Sequence, residues 1–472
     1  MRLTSIYVQE YDKIKDAMKT IDCGGLGIAL VIDKNNKLSG VVTDSDIRRA
    51  VMNGVNIEHE VRTITNTNPI KINQNYTPLD IDNLLLEINK KKFPVYGTLC
   101  IPVVSAKGEP TDLLFISEKG YKGKLSDTTI DVKKVDKVLV VGGAGYLGGI
   151  LCRQLLECGY HVRVLDNLMY GDDGIKQIYH HDGFEFINGD MRDLRTVVKA
   201  IKDVDAVIHL AAIVGDPASA LDPEETIEIN YLSTILLAEV CKQSQINRFI
   251  FASTCSVYGA SETGKTLNET SRLNPVSLYA EMKLKSEQGV LRLEDDNFSP
   301  TVLRMGTLFG LAPRMRFDLV INILCAKAMM EKKFSVFGGA QWRAFCHVQD
   351  AAQAYLTCLE APIRDVKGEI FNVAPENATI IDIGNAVKKA APNAELVIEK
   401  SKVDERDYRV SDEKIRRKVQ YRSTKTIQQG IKEIISAFGK EKKYQDYRSS
   451  KYNNHTYLNE KWQSEHANLY EE

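Results

Sequence analysis

The sequence predicts an α/β fold, a doubly wound parallel sheet, and three features near its middle predict it. Val138–Val141 reads VLVV, a short apolar, mostly β-branched run of the kind that forms a strand covered on both faces. Gly142, Gly145 and Gly148 punctuate the next turn, and Leu147, Ile150, Leu151, Leu155 and Cys158 then recur at helical spacing. A second strand, His161–Leu165, ends in Asp166 at a remove of about 20 residues. Strand, tight turn and helix are the parts that bring a pyrophosphate against helix N-terminal amides. A carboxylate at the end of the second strand can hold a ribose 2′-hydroxyl.

The alternation continues. Phe184–Asn188 is a third strand running into Gly189-Asp190-Met191-Arg192-Asp193, and Ala206–Leu210 a fourth running into AAIVGDPAS. Asn230 lies in a long apolar-striped helix, and Arg248–Ala252 is a fifth strand. Strands alternating with helices imply a parallel sheet with right-handed crossovers. This body is expected over 135–440.

At 472 residues the chain is too long for one ordinary domain. Its 62 basic and 63 acidic residues nearly cancel, so bulk charge gives no case for nucleic acid or an anionic membrane as partner. Nine cysteines, an odd number without a CxxC pair, read as reduced thiols. The eight histidines show no metal-ligand spacing, so no metal is expected. The first residues lack the apolar core of a signal peptide, and no run approaches the roughly 18 apolar residues of a membrane span. A cytoplasmic protein is the expectation.

Residues 1–125 are organised differently. Ile28–Ile32 and Leu38–Val42 read as strands around the polar turn Asp33–Lys37, and a helix to about Met52 opens at Thr43, Asp44 and Asp46. Thr43 suits an N-cap, and the acidic residues favour the positive helix end. Pro78–Ile88 is helical in pattern, and Ile101–Glu118 repeats the strand–turn–strand shape. The segment resembles a CBS domain pair, a small α+β module. Gly40-Val41-Val42-Thr43-x-x-Asp46 matches that family's nucleotide motif; the resemblance implies an adenine nucleotide with Asp46 on its ribose and Thr43 on its phosphate side. The second copy lacks this signature. A nucleotide sensor and a dimerisation module are both open readings. Residues 126–134, within a polar run from Glu118 to Lys134, are the expected linker.

The body acquires a specific resemblance from four motifs. These are the turn GGAGYLG (Gly142, Gly145, Tyr146, Leu147), Asp190-Met191, His209-Leu210-Ala211-Ala212, and Ser253-Thr254-Cys255-Ser256-Val257-Tyr258-Gly259 followed by Tyr279-x-x-x-Lys283. Residues at i and i+4 share a helix face, so the Lys283 ammonium can sit near the Tyr279 phenol and favour its ionised form. A phenol of pKa about 10 needs such help to act as a base near neutral pH. With these motifs the chain is similar to extended short-chain dehydrogenases/reductases acting on nucleotide sugars, of Rossmann-type fold with a small C-terminal substrate lobe. The resemblance implies Tyr279, Thr254 and Lys283 as catalytic residues. It implies NAD as cofactor, held also by Asp166, Asn167, Asp190, Met191, Leu210, Ala211, Ala212, Asn230 and Ser253. Asp166, with Asn167 and no arginine directly after it, favours NAD over NADP, because a carboxylate repels a 2′-phosphate.

The lobe carries the remaining expectations. The resemblance implies substrate contacts from Thr254, Cys255, Ser256, Arg314, Arg316, Asn322, Arg343 and Arg406. Arg343 lies in a WRAFCHV segment matching the family's arginine for the nucleotide diphosphate, where a guanidinium fork suits phosphate oxygens. Residues 441–472 form a charged, tyrosine-rich tail without a core pattern. A homodimer or larger homo-oligomer is expected.

Four reactions share this machinery: 4-epimerisation, 4,6-dehydration, 4-oxidation and 4-keto reduction. The family's 4,6-dehydratases carry an Asp-Glu pair directly after the catalytic threonine, where this chain has Cys255 and Ser256. That disfavours dehydration and leaves an epimerase as the leading expectation. A 4-dehydrogenase or ketoreductase is the alternative. A purely binding nucleotide and redox sensor is the remaining class.

Overall fold

The computed structural model describes residues 3–24, 26–90, 99–117, 120–125, 135–259, 265–295, 297–400 and 406–467. The expected linker, 126–134, lies outside them. Two compact units separate, one Met1–Asp136 with Pro362–Arg364, the other Lys137–Ala361 with Asp365–Glu472.

The first unit is an internal repeat. Tyr7–Gln9 pairs parallel with Ile28–Ile32, which pairs antiparallel with Leu38–Thr43. Ile72–Asn73 repeats this arrangement with Leu99–Val104 and Pro110–Ser117. Helices Ile14–Gly24 and Pro78–Lys90 fill equivalent crossovers. Gly120–Lys124 adds an edge strand antiparallel to Pro110–Ser117, inside the run that the sequence reads as polar connection. Edge strands tolerate lysine and glycine because only one side must pair, so the run shows no apolar alternation.

The second unit is the doubly wound α/β sheet. Its seven strands are β1 (Lys137–Val141), β2 (His161–Asp166), β3 (Phe184–Asn188), β4 (Ala206–His209), β5 (Arg248–Thr254), β6 (Ser299–Met305) and β7 (Glu369–Val373). They lie in the order β3-β2-β1-β4-β5-β6-β7 and every neighbouring pair is parallel. The β1 residues Val138–Val141 are fully enclosed, as their continuous apolar run requires. The winding reverses between β1 and β4, and the carboxyl ends of strands flanking such a reversal form the crevice where ligands bind.

A smaller lobe comes after β6, with a three-stranded sheet of Thr307–Phe309, Trp342–His347 and Glu376–Thr379. Its core includes Ile321, Leu324, Phe345, Ile383 and Ile434. The C-terminal tail belongs to this core, contrary to the sequence expectation. Tyr444, Tyr447 and Tyr452 are buried around Phe317, at ring-centroid separations of 5.7, 6.1 and 5.3 Å. The Phe317 amide donates to the Tyr452 carbonyl at 2.8 Å. These tyrosines sit on short 3₁₀ turns, Lys442–Asp446 and Ser450–Tyr452, or next to them, and such turns carry no 3.6-residue period for the sequence to show. Helix Asn454–Ala467 then closes the chain.

Candidate active site

The carboxyl ends of β1, β2, β4, β5 and β6 enclose a cleft of about 320 Å³. Its floor is the glycine turn. Gly142 has φ +85°, and a Cβ there would lie 2.5 Å from the Ala211 amide nitrogen. A Cβ on Gly148 would lie 2.5 Å from the Gly142 carbonyl oxygen. The turn therefore packs backbone on backbone, and α1 (Tyr146–Glu157) starts from Gly145 with no side-chain cap. Uncapped first-turn amides beside Gly145, Tyr146 and Leu147, all lining the cleft, are donors for an anion. The Tyr146 hydroxyl itself is committed to the Gly310 carbonyl at 2.6 Å.

Asp166 closes the end of β2. Its carboxylate accepts from the Ala144 amide at 3.0 Å and the Leu168 amide at 2.8 Å, and burial raises its pKa. Two amides leave lone pairs for a ligand hydroxyl. Asn167 and Asp190 lie on the same wall, where Asn167 donates to Asp190 at 3.3 Å and Arg192 pairs with Asp190 at 2.8 Å. Met191, Leu210, Ala211 and Ala212 supply apolar lining. An anion-ready helix end, a spare carboxylate and flat apolar walls fit a dinucleotide.

The other end of the cleft holds the reactive groups. Helix α2 (Leu278–Arg292) carries Tyr279 and Lys283 on its buried face, capped by Ser277. The Thr254 hydroxyl accepts the Ser256 amide at 3.1 Å, and beside Tyr279 it favours the ionised phenol. Burial pushes the Tyr279 phenol up, and Arg316 is the charge that most offsets it. Lys283 is buried beside the end of β5. Its Nζ donates to the Ala252 carbonyl at 2.9 Å and lies 4.8 Å from the Phe251 ring centre. Burial brings its pKa down to about 7, and Glu287, one turn further along α2, pulls it back up. Glu287 accepts from the Ser253 hydroxyl and forms a buried pair with Arg304 at 2.7 Å.

Ser253, Ser256, Arg314, Arg316 and Arg406 also line the cleft. Arg316 forks onto Asp318 at 2.9 and 2.7 Å, and Arg406 pairs with Asp216 at 3.0 Å.

Four sequence-selected residues are not among those lining the cleft, and each is held elsewhere. Asn230 donates to the Ile213 carbonyl at 2.9 Å and accepts the Ile213 amide at 2.8 Å, pinning the loop after β4 from behind. It sits in a wide π turn, Glu228–Leu232, rather than in a regular helix. The Cys255 thiol, fully buried, faces the Arg304 carbonyl at 3.3 Å. Asn322 bonds Gly310, Tyr146 and the Arg316 carbonyl. The Arg343 guanidinium bonds the carbonyls of Trp342 and Arg406. Asn322 and Arg343 thus hold backbone that carries site residues, a role that a motif does not distinguish from ligand contact.

Sequence reasoning missed Tyr170, Asp216, Tyr355, Tyr408 and Asn454, which line the cleft. Tyr170 and Asp216 come from the loops after β2 and β4, and Asn454 comes from the tail; none belongs to a recognisable spacing.

Among the described residues there is no cluster of three or more metal-ligating side chains, and no helix is long and apolar enough to cross a membrane. In the first unit, Thr43 and Asp46 bind each other. The Thr43 hydroxyl donates to the Asp46 carboxylate at 2.7 Å, and Asp46 also receives Arg49 at 2.7 Å.

Residues 138–374 match the family model "NAD dependent epimerase/dehydratase family", and residues 1–53 match that of the CBS domain. The UDP-glucose 4-epimerase of Bacillus subtilis is 28% identical over 54% of this chain and 82% of its own. A Thermus thermophilus UDP-glucose 4-epimerase, solved with NAD, superposes with TM-score 0.57 at 27% identity, covering 65% of this chain and 99% of its own. The UDP-glucuronic acid 4-epimerase of Bacillus cereus, solved with UDP-glucuronic acid and NAD, gives 0.59 at 28% identity, over 66% and 100%. The chain belongs to the NAD dependent epimerase/dehydratase family and carries a CBS domain at its N-terminus.

Proposed function

We propose that the protein is an NAD-dependent nucleotide-sugar epimerase that inverts C4 through a transient 4-keto sugar. The observation that carries this reading is the meeting of Thr254, Tyr279 and Lys283 at one end of a cleft whose other end is the glycine turn and Asp166. Relatives named as UDP-glucose and UDP-glucuronic acid 4-epimerases support a nucleotide sugar as substrate.

Bound NAD supplies a reversible hydride acceptor and a positive charge. The amides at Gly145–Leu147 and the Asp166 carboxylate would hold it. Tyr279 takes the proton of the sugar hydroxyl and returns it, while Thr254 orders that hydroxyl against the phenol. Ionising a buried phenol is costly, and the fixed charge of Arg316 lowers the cost. Lys283 adds to this when protonated, and Glu287 favours that form. Proton transfer by a positioned group is worth typically 10²–10⁴-fold. Dehydration lacks its acid–base pair: the Cys255 thiol is buried against a carbonyl, and Ser256 is a hydroxyl rather than a carboxylate.

The test is product analysis by NMR on a panel of UDP-hexoses and UDP-hexuronic acids, using C4-deuterated substrate. The expected product is the C4 epimer, with deuterium retained and no NADH accumulating. Stoichiometric NADH would make the protein a 4-dehydrogenase, and an untouched panel would remove the enzyme reading.

A further inference from the structure

The lining of the cleft contains an unbalanced pair of arginines. Arg316 has its carboxylate, Asp318. Arg314, only 4% exposed, has none bonded to it among the described residues. Its Nη2 donates to the Asn454 side-chain oxygen at 2.7 Å, its guanidinium lies 4.5 Å from the Tyr170 ring centre, and its Nε is buried without a hydrogen-bond partner. The Tyr170 hydroxyl is likewise buried and unpartnered. Both residues line the cleft. A buried charge without a counter-ion is costly, and burial together with Arg316 brings the Arg314 pKa down to about 10.

Electrostatic neighbours place the pair along the cleft. Arg314 stabilises the Asp166 carboxylate, at the ribose end. Arg316 acts on Tyr279, at the reacting end. In an extended dinucleotide, the group between the adenosine ribose and the nicotinamide is the pyrophosphate.

Asn454 is the first residue of the last helix, in the tail. Its backbone amide donates to Asp318 at 3.2 Å while its side chain receives Arg314. Three residues on, the Tyr457 ring packs against Tyr170, at 5.6 Å between centroids. The segment reaches the cleft because Tyr452 is fastened to Phe317.

We propose that the C-terminal segment is part of the cofactor site: Asn454 is a positioning residue that aims Arg314 at the NAD pyrophosphate, with the Tyr170 hydroxyl as second donor. The assignment moves Arg314 from the sugar substrate, where the sequence put it, to the cofactor. It depends on NAD binding alone and stands or falls separately from the epimerase reading.

The test measures binding to the full chain, stripped of nucleotide, by calorimetry with NAD, ADP and adenosine. Losing a hydrogen bond that aims a charged group costs about tenfold or more in affinity. Asn454→Ala is expected to weaken NAD and ADP on that scale and adenosine hardly at all, because adenosine has no phosphate. Arg314→Gln should show the same discrimination, and Asn454→Ala added to Arg314→Gln should cost nothing further. Three results would overturn the proposal: unchanged NAD affinity in Asn454→Ala, equal losses for ADP and adenosine, or additive losses in the double variant. Should Asn454→Ala melt early, Arg314→Gln alone decides, through its ADP-to-adenosine ratio.

Discussion

Two short motifs, Thr43-x-x-Asp46 and Tyr279-x-x-x-Lys283, look alike on paper and differ in the fold. Each sets a hydroxyl-bearing residue against an ionisable one a single helical turn away. In the first unit the two side chains satisfy one another: each caps the other's backbone amide, at 3.3 and 3.0 Å, and Arg49 takes the remaining carboxylate oxygen. In the second unit the tyrosine and the lysine do not close on each other. Lys283 reaches back to β5, and Tyr279 meets Thr254 across the cleft. Groups that complete a helix end gain little from a ligand, whereas groups held apart by a sheet and a helix are left waiting for one.

The contrast is broken or sharpened by experiment, beginning with its reactive side. Tyr279→Phe keeps the ring and removes the proton carrier, so turnover should fall about 10²–10⁴-fold with nucleotide-sugar affinity retained. Steady-state kinetics beside substrate calorimetry reads this, and full activity would break the contrast at its stronger end.

Lys283 comes next. Its folded pKa of about 7 lies below its ordinary 10.5. Between those values the unfolded chain binds the extra proton, so stability of the cofactor-free protein rises with pH across that window, and the penalty is complete below pH 7. Lys283→Met should flatten this pH dependence in thermal melts while weakening NAD binding. An unaltered slope would show that the lysine is not the group responsible.

The first unit should respond less. Thr43→Ala removes the cap, at a cost of about 1 kcal/mol to that unit and no change in catalysis. Chemical denaturation measures the former and product formation the latter. Smallest of all, AMP, ADP or ATP at millimolar concentration should barely move the melting of the first unit, since Thr43 and Asp46 are already partnered. A shift of several degrees abolished by Asp46→Ala would show that a nucleotide opens the capping box.

Legibility in the sequence divides along the same line. The successive strands, the glycine turn and the place of Asp166 at a strand end were readable because each leaves a periodic or stereochemical trace: Val138–Val141 must be apolar on both faces, and Gly142 must be glycine. The functional status of Asn230, Asn322 and Arg343 was not readable. A buried amide that pins a loop and one that touches a ligand are the same letter, and which of the two occurs depends on a partner 17 residues away in the case of Asn230 and Ile213. The tail was opaque for another reason. Its core contacts come from tyrosines on irregular turns, and Asn454 meets Arg314 across 140 residues of chain.

The wide turn at Glu228–Leu232 has a consequence for how the gene can change. A π turn holds one residue more than a regular turn needs. Deleting one residue there lets the helix close up into better local geometry, yet rotates Asn230 by roughly 100° relative to the rest of the helix. Both backbone groups of Ile213 then lose their partner, and the loop carrying Val214, Gly215 and Asp216 into the cleft keeps only its ties at Gly215 and Asp216, to Ser219, Ser277 and Arg406. At this position a shorter chain makes a more regular helix and a poorer site, so single-residue deletions here should be purged even where substitutions on the exposed face of the same turn are accepted.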